Sequence, residues 1–409
     1  MSVVVWISAL SLAVWLWLLL GHGRFWRTDV RLPERRDPAV WPRVAVVVPA
    51  RDEAGSLPRT LPSLLAQDYP GEAEVLLVDD ASSDGTGELA RALADRHGGL
   101  PLTVLSPGEP PRGWTGKLWA VRHGIASARS REPAFLLLTD ADIAHAPDSL
   151  RALVASAVTH DLDAVSLMAR LRVQGGWERL VVPAFVYFFA QLYPFRRVAR
   201  PGARTAAAAG GCVLLRASAA AGAGVPDAIR EALIDDVALA RAVKRRSPGA
   251  RIWLGLADGV VSVRPYPRLR DLWEMVTRSA YAQLRHSPWL LAGTVLGLLL
   301  VYLAPPLALT AGLVAGLPAA AACGGAAWLL MAGSYLPMLR YHRQPPWAAP
   351  LLPFTAFLYT LMTVDSAVRH HRGRGAAWKG RSYGRSGTLS PTRTGPVPGG
   401  RTDAAERGA

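Results

Sequence analysis

Four carboxylate clusters recur along this 409-residue chain, each beside an apolar run. The most pointed lies in LLLTDADI, residues 136–143, where Asp140 and Asp142 flank a single residue just after the apolar run Phe135–Leu138. An Asp-x-Asp at a strand end offers hard oxygens to Mg²⁺ or Mn²⁺. A cation so held also binds a diphosphate and neutralises charge on a leaving group.

The other three clusters carry bland readings as well as chemical ones. In VVVPARDEAGSL, residues 46–57, Pro49 ends a strand, and Asp52 and Glu53 occupy a loop that could simply cap the next helix. In LLVDDASSDGT, residues 76–86, the adjacent Asp79 and Asp80 repel each other and want a ligand, a proton or a cation. Either could accept hydrogen bonds from ribose hydroxyls or a base N–H, while Asp84 reads mainly as a helix N-cap. In ALIDDVALARAVKRR, residues 232–246, Asp235 and Asp236 open a helix whose dipole they favour. Either is also placed to act as a general base toward a hydroxyl. Phosphatases of the haloacid-dehalogenase type also place Asp-x-Asp after a strand, but such an enzyme does not explain the two upstream clusters.

The elements that must position these acids alternate. Strands are expected at Val44–Pro49, Val75–Asp79, Leu102–Leu105, Phe135–Thr139 and Ala164–Met168. Helices are expected around Ser56–Gln67, Thr86–His97 and Leu118–Ser127, and from Pro147 to about His160. This alternation implies an α/β fold with a mostly parallel, doubly wound sheet, whose ligands sit outside the carboxyl ends of the strands. The acids fall at those ends.

Apolar segments flank this domain. Val3–Leu20 is 18 residues without charge, followed by Arg24, Arg27, Arg31, Arg35 and Arg36. That order makes residues 1–22 an anchor, with the next domain (43–286) in the cytoplasm. A cleaved signal peptide fits less well, because no Lys or Arg precedes the run and no small-x-small site follows it. Ser287–Leu339 holds 53 residues with no charged side chain, a helical hairpin turning near Gly316–Pro318 and kinked at Pro305 and Pro306. Trp347–Val364 is a third apolar stretch, broken by Pro350 and Pro353. As a full span it would place Arg369–Arg374 outside, against the charge rule, so a partly re-entrant or interfacial course is expected. The membrane region is therefore 287–368, with two or three helices, and residues 372–409 form a basic, disordered tail. From Arg369 onward nine Lys and Arg face Asp403 and Glu406, supplying +7 of the net +15. Beside apolar spans this points to anionic lipid headgroups rather than nucleic acid. Cys212 and Cys323 form neither a disulfide framework nor a zinc motif.

The chain resembles family 2 inverting glycosyltransferases of the GT-A fold. Within that family it resembles the hopene-associated glycosyltransferases of hopanoid gene clusters. The resemblance is carried over roughly residues 1–385 by VVVPARDE, VDDASSDGT, GWTGKLWA, TDADI, AAGGCVLLR, ALIDDVALA and RIWLGLA. It implies that Pro49, Arg51 and Glu53 line the nucleotide pocket, and that Asp79 or Asp80 meets the base. It puts Lys117 near the nucleotide-sugar phosphates, and Asp140 and Asp142 at the diphosphate and metal, Asp142 more directly. Gly210 and Gly211 let backbone approach the sugar or acceptor, and Asp236, with Asp235 beside it, is the base. Processive members carry Gln-x-x-Arg-Trp after the base helix. Here Arg285 fits the arginine, but Ala282 and His286 replace the glutamine and tryptophan, which favours transfer of a single sugar. The implied protein is a metal-dependent hexosyltransferase of the inner (cytoplasmic) membrane. Its donor would be a nucleotide-sugar such as a UDP-sugar, and its acceptor a lipid: a hopanoid first, a polyprenyl phosphate or glycerolipid next. A catalytically inactive membrane scaffold is the competitor from another class.

Overall fold

Val44–Ala50 (β1) reads VAVVVPA, and every residue in it is buried. A strand covered on both faces needs such an unbroken apolar run, and neighbours on both edges. Ala73–Asp79 (β2) and Phe135–Thr139 (β4) pair with it in parallel, and Leu102–Leu105 (β3) extends the parallel set beyond β2. The computed structural model describes residues 2–246 and 249–373, together with 377–378, 381–383 and 389–391. Ile143–His145 (β5), Ala164–Arg170 (β6), Cys212–Arg216 (β7) and Ile252–Ser262 (β8) complete an eight-stranded sheet of order β3-β2-β1-β4-β7-β6-β8-β5. β7 runs antiparallel to both β4 and β6, so the doubly wound sheet is mixed on this side. That reversal brings the entry to β7, at Gly210 and Gly211, to the edge where β1, β4 and β6 end.

Short turns aside, the helices begin with Val3–Leu20 (α1), Leu57–Leu65 (α2), Thr86–His97 (α3), Gly116–Arg129 (α4) and Ser149–Thr159 (α5). Gly176–Leu192 (α6), Asp235–Arg246 (α7), Leu269–Thr277 (α8) and Ala280–Gln283 (α9) complete the sheet domain. Pro288–Val314 (α10), Pro318–Tyr341 (α11) and Pro346–His371 (α12) follow it. Val44, Val46 and Val48 share a core with residues of α2, α3 and α5, whereas Ala45 and Val47 face α4 and the apolar helices. At Gly124 an added Cβ would sit 2.4 Å from Val47 Cγ1, so α4 lies directly on β1.

α1, α10, α11 and α12 are long and apolar enough to cross a membrane. Each has one end on the sheet domain. Gly21 O, just after α1, accepts from Arg197 Nη2 at 2.7 Å. The ring of His286, just before α10, stacks on His370 near the end of α12. Tyr341, the last residue of α11, donates its hydroxyl to Ala257 O of β8 at 2.6 Å. The start of α12 is different, because it lies beside the middle of α11, where Trp328 Nε1 donates to Pro350 O at 3.1 Å. At 1.5 Å per residue, that contact is about 20 Å along the helix from Tyr341. The chain after Tyr341 thus descends part-way along α11, and α12 climbs back to the domain. The segment folds back along α11, and neither proline breaks it. A 3₁₀ turn at Pro346–Leu351 leads straight into Leu352–His371, with Pro353 in the first turn, where its missing N–H costs nothing.

Pro305 and Pro306 lie in the first turn after a change of helix type. A π-helical turn at Leu299–Leu303 precedes them, and the carbonyls freed nearby are met from α1. Trp15 Nε1 donates to Val301 O at 2.7 Å, and Ser11 Oγ to Leu300 O at 2.8 Å. In the basic tail, 377–378, 381–383 and 389–391 pair as a three-stranded antiparallel sheet, and the rest of the stretch expected to be disordered, from 374 on, lies outside the described residues.

Candidate active site

The carboxyl edge of the sheet opens into a cavity of about 1560 Å³. β4 delivers Asp140 to it, and a turn closed by Ile143 N on Asp140 O brings Asp142 round beside β8. Thr60 Oγ1 of α2 holds this turn from behind, donating to Ala141 O at 2.7 Å. β1 contributes Pro49 and, one loop later, Glu53. α4 contributes Lys117, one residue into the helix that Thr115 caps through Leu118 N. α7 begins with Asp235 and Asp236, across from Gly210 and Gly211.

These groups interlock by charge. Lys117 Nζ lies 2.8 Å from Asp140 Oδ1 and 3.0 Å from Asp235 Oδ2, bridging two elements nearly a hundred residues apart. Burial would lower the Lys117 pKa, but Asp140 and Asp235 reverse the shift and hold the ammonium firmly charged. Arg264, just after β8, makes the second bridge. Its Nε lies 2.7 Å from Asp142 Oδ2 and its Nη2 2.6 Å from Glu53 Oε1. Asp236 accepts from Gly210 N at 2.9 Å and Val237 N at 2.7 Å. Burial, then repulsion from Asp235, pushes its pKa up to about 7 despite those hydrogen bonds. Burial also raises Asp140, against the pull of Lys117.

Not every expected residue joins this cavity. Asp79, Asp80 and Arg51 form an adjoining network of two loops, outside the cavity lining. Arg51 Nη1 donates to Asp80 O and lies 3.7 Å from the fully buried Asp80 carboxylate, while Asp79 Oδ1 accepts from Ser82 N at 3.0 Å. Asp84 ties the same loops together, accepting from Ala54 N and Thr86 N, but the cap position of α3 is Gly85, at φ +79°. Arg285 is placed elsewhere altogether. It sits on an exposed left-handed turn (φ +52°) whose neighbour His286 faces the cavity. Among the described residues five arginines line the cavity, Arg264, Arg270, Arg278, Arg369 and Arg372, and the first three escaped the sequence reading.

Asp140 and Asp142 offer the oxygen donors that a hard divalent cation takes. Among the described residues no group of three or more His, Cys, Asp or Glu is arranged to hold a metal. The two carboxylates therefore suit a cation whose other ligands come from a substrate diphosphate and water. Both carboxylates already face cations, which shows that the pocket is built to hold positive charge against them.

Residues 45–222 match the model of glycosyl transferase family 2. The undecaprenyl-phosphate mannosyltransferase of Micrococcus luteus is 34% identical over 136 residues, 33% of this chain and 50% of that protein. The undecaprenyl-phosphate 4-deoxy-4-formamido-L-arabinose transferase of Aeromonas hydrophila is 33% identical over 142 residues, 33% of this chain and 39% of that one. The chain thus spans half or less of these relatives. Among solved structures, a mannosyltransferase from Pyrobaculum calidifontis, in complex with GDP-Man and Mn²⁺, superposes with a TM-score of 0.51 at 22% identity. That match covers 88% of this chain and 99% of that one. The fold is GT-A, as the motifs implied.

Proposed function

We propose that the chain is a membrane-bound family 2 glycosyltransferase that moves one sugar from a nucleotide-sugar to a lipid acceptor. One observation carries the proposal: Lys117, Asp140, Asp142, Asp235 and Asp236 converge on a single cavity that also reaches the apolar helices. The matched relatives named for undecaprenyl phosphate support a lipid acceptor, and the donor is a nucleotide-sugar, with UDP-sugars the first to test. A hopanoid and a polyprenyl phosphate both remain within this proposal.

Transfer is a direct displacement. Lys117 holds the donor diphosphate over Asp140, while Gly210, without a side chain, leaves room beside Asp236 for the sugar. Asp236 takes the proton of the attacking acceptor oxygen, which adds to the anomeric carbon as the nucleoside diphosphate departs with the bonding pair. With one base and no second nucleophilic carboxylate, an α-linked donor gives a β-product. A divalent cation on Asp142 and Asp140 would offset charge developing on the leaving diphosphate.

The apolar helices hold the site at the cytoplasmic membrane, with the sheet domain on the side of the arginines that follow α1. Purified protein incubated with several labelled nucleotide-sugars and native membrane lipid should yield a glycosylated lipid by mass spectrometry. Donor binding without turnover on any lipid fraction would instead identify an inactive scaffold.

A further inference from the structure

Residues 199–211 lead from the helical turn Phe195–Val198 to β7 and belong to no helix or strand. Ala206, Ala207, Ala208 and Ala209 are nonetheless buried, in the same core as Leu239, Ala240 and Val243 of α7. Buried backbone outside regular structure needs hydrogen-bond partners from elsewhere. Side chains supply them. Ser166 Oγ of β6 accepts from Ala209 N at 2.8 Å, and Thr139 Oγ1 of β4 donates to Gly211 O at 2.8 Å. Asp236 Oδ2 of α7 accepts from Gly210 N at 2.9 Å.

The other end of this strap is held by a single cation. Lys244 Nζ, in the last turn of α7, lies 2.8 Å from Val198 O and 2.9 Å from Thr205 O. Arg200 O and Ala203 O are next, at 3.2 Å and 3.3 Å. An ammonium has three N–H donors, so the four carbonyls share them. No carboxylate pairs with Lys244 among the described residues, and burial draws its pKa down. The helix dipole explains a cation in the last turn, but not one ringed by four carbonyls of one distant segment. Lys244 and Asp236 are eight residues apart on α7. That is about 12 Å along the helix and less than a quarter turn around it. One helix therefore holds the strap at both ends, a cation on its carbonyls and a carboxylate on its N–H.

We infer that Lys244 is a positioning residue for sugar transfer, anchoring residues 198–205 so that the strap delivers Gly210 N–H to Asp236. This rests on the reading of Asp236 as the base. Lys244 touches no substrate and moves no proton. It acts through the Gly210 hydrogen bond, which orients the carboxylate that faces the acceptor. By favouring the charged form, the same bond keeps the Asp236 pKa at about 7 against burial and the repulsion of Asp235. A strap displaced by about an ångström loses that bond, and misplacement on this scale can slow a reaction about a hundredfold. Lys117 and Asp140, on α4 and β4, keep their places, so the diphosphate side of the cavity is unaffected.

The test uses the full-length protein in detergent micelles. Lys244→Ala removes the ammonium, and added propylammonium replaces the atoms lost. The Gly210 amide of the variant should exchange with deuterium at least about tenfold faster than in the wild type. Transfer from labelled nucleotide-sugar to native membrane lipid should fall about ten- to a hundredfold in kcat. The donor KM should stay within about twofold, since no donor contact is lost. The acid limb of the rate should move above about 7, because the charged form of Asp236 has lost a hydrogen bond. Propylammonium should restore exchange, rate and limb, whereas propyltrimethylammonium, which has no N–H, should restore none. If Lys244→Ala does not fold, Lys244→Gln keeps two N–H donors and should show the same changes, smaller in size. Unaltered Gly210 exchange in a folded variant would overturn the inference. Faster exchange with kcat and limb unmoved would also overturn it, since Lys244 would then only stabilise the loop. Faster exchange in a protein that glycosylates no lipid would remove the transferase proposal, and the role of Lys244 in transfer with it, while its anchoring of Gly210 would stand.

Discussion

The backbone N–H of Gly210 donates to Asp236 Oδ2 at 2.9 Å, tying the entry to β7 to the first turn of α7. This fixes a carboxylate that burial and Asp235 have already made a stronger base than an ordinary aspartate. A base that is held still and titrates close to neutrality is what proton abstraction from an acceptor requires.

Replacing Asp236 by Asn keeps the shape and removes the base. Transfer to a hydroxyl acceptor should fall by about 10²- to 10⁴-fold, with nucleotide affinity unchanged in a titration. Transfer to a lipid phosphate should fall less, because most of that nucleophile arrives already deprotonated. Wild-type turnover on a hydroxyl acceptor would remove Asp236 from the mechanism.

The acidity of Asp236 sets a pH profile. The carboxylate form is the active one, so transfer should be lost as the pH falls through about 7 and should level off above it. An ordinary aspartate would give its limb near 4. Rates at saturating donor, measured from pH 5 to 9, check this, and the limb near 7 should vanish in the residual activity of Asp236→Asn.

Much of this arrangement was legible in the sequence, and the limits are physical. α1, α3, β3 and β4 fall on the residues expected: α1 and β4 are uninterrupted apolar runs, and α3 follows Asp84-Gly85 with its buried residues at helical spacing. β8 was hidden by Asp258 in the middle of IWLGLADGVVS, and β5 is only three residues long. α6 is apolar throughout its last turns, but Pro183 interrupts it, and its start depends on Glu178 accepting from Gln174 N and Gly175 N. Asp140, Asp142, Asp235 and Asp236 were readable because acids beside apolar runs are unusual. Arg264 and Arg278 were not, since one arginine in a polar stretch has no spacing to betray it. Arg285 was misplaced by motif alignment. Only the left-handed turn at Arg285 and His286 decides which of the two faces the cavity.

Lys117 should prove structural as well as functional. Lys117→Met leaves Asp140 and Asp235 facing each other across a partly desolvated gap. The loss of their shared cation should cost on the order of 2 kcal/mol and weaken nucleoside diphosphate binding. Thermal unfolding with and without nucleotide separates the two effects. An unchanged melting temperature and unchanged affinity would show that the bridge contributes nothing.

Divalent cations should bind weakly alone and tightly with nucleotide, because the protein offers Asp140 and Asp142 without a third clustered ligand among the described residues. Chelation should abolish transfer, and Mn²⁺ or Mg²⁺ should restore it. Calorimetric titration of Mn²⁺ with and without a nucleoside diphosphate measures the coupling directly. Asp142→Asn should reduce the affinity gained from the nucleotide, and equal Mn²⁺ affinity in both titrations would place the cation elsewhere.

The course of α12 makes the last prediction, and it decides the topology. Four full crossings would separate the C-terminal tail from the sheet domain. In the structure, however, Ser366 Oγ donates to Thr277 O of α8, and Tyr281 of α9 bonds to His371 through its hydroxyl, so the end of α12 is fastened to that domain. Tyr359 Oη also donates to Val181 O of α6 at 3.1 Å, so the helix is held along its length and not only at its tip. Arg369 and Arg372 then lie with the arginines that follow α1, in agreement with the charge rule. A C-terminal epitope tag should be protected from protease in intact spheroplasts and cleaved in inverted membrane vesicles, alongside a tag inserted in a loop of the sheet domain. Cleavage of the terminal tag in spheroplasts would mean that α12 crosses completely.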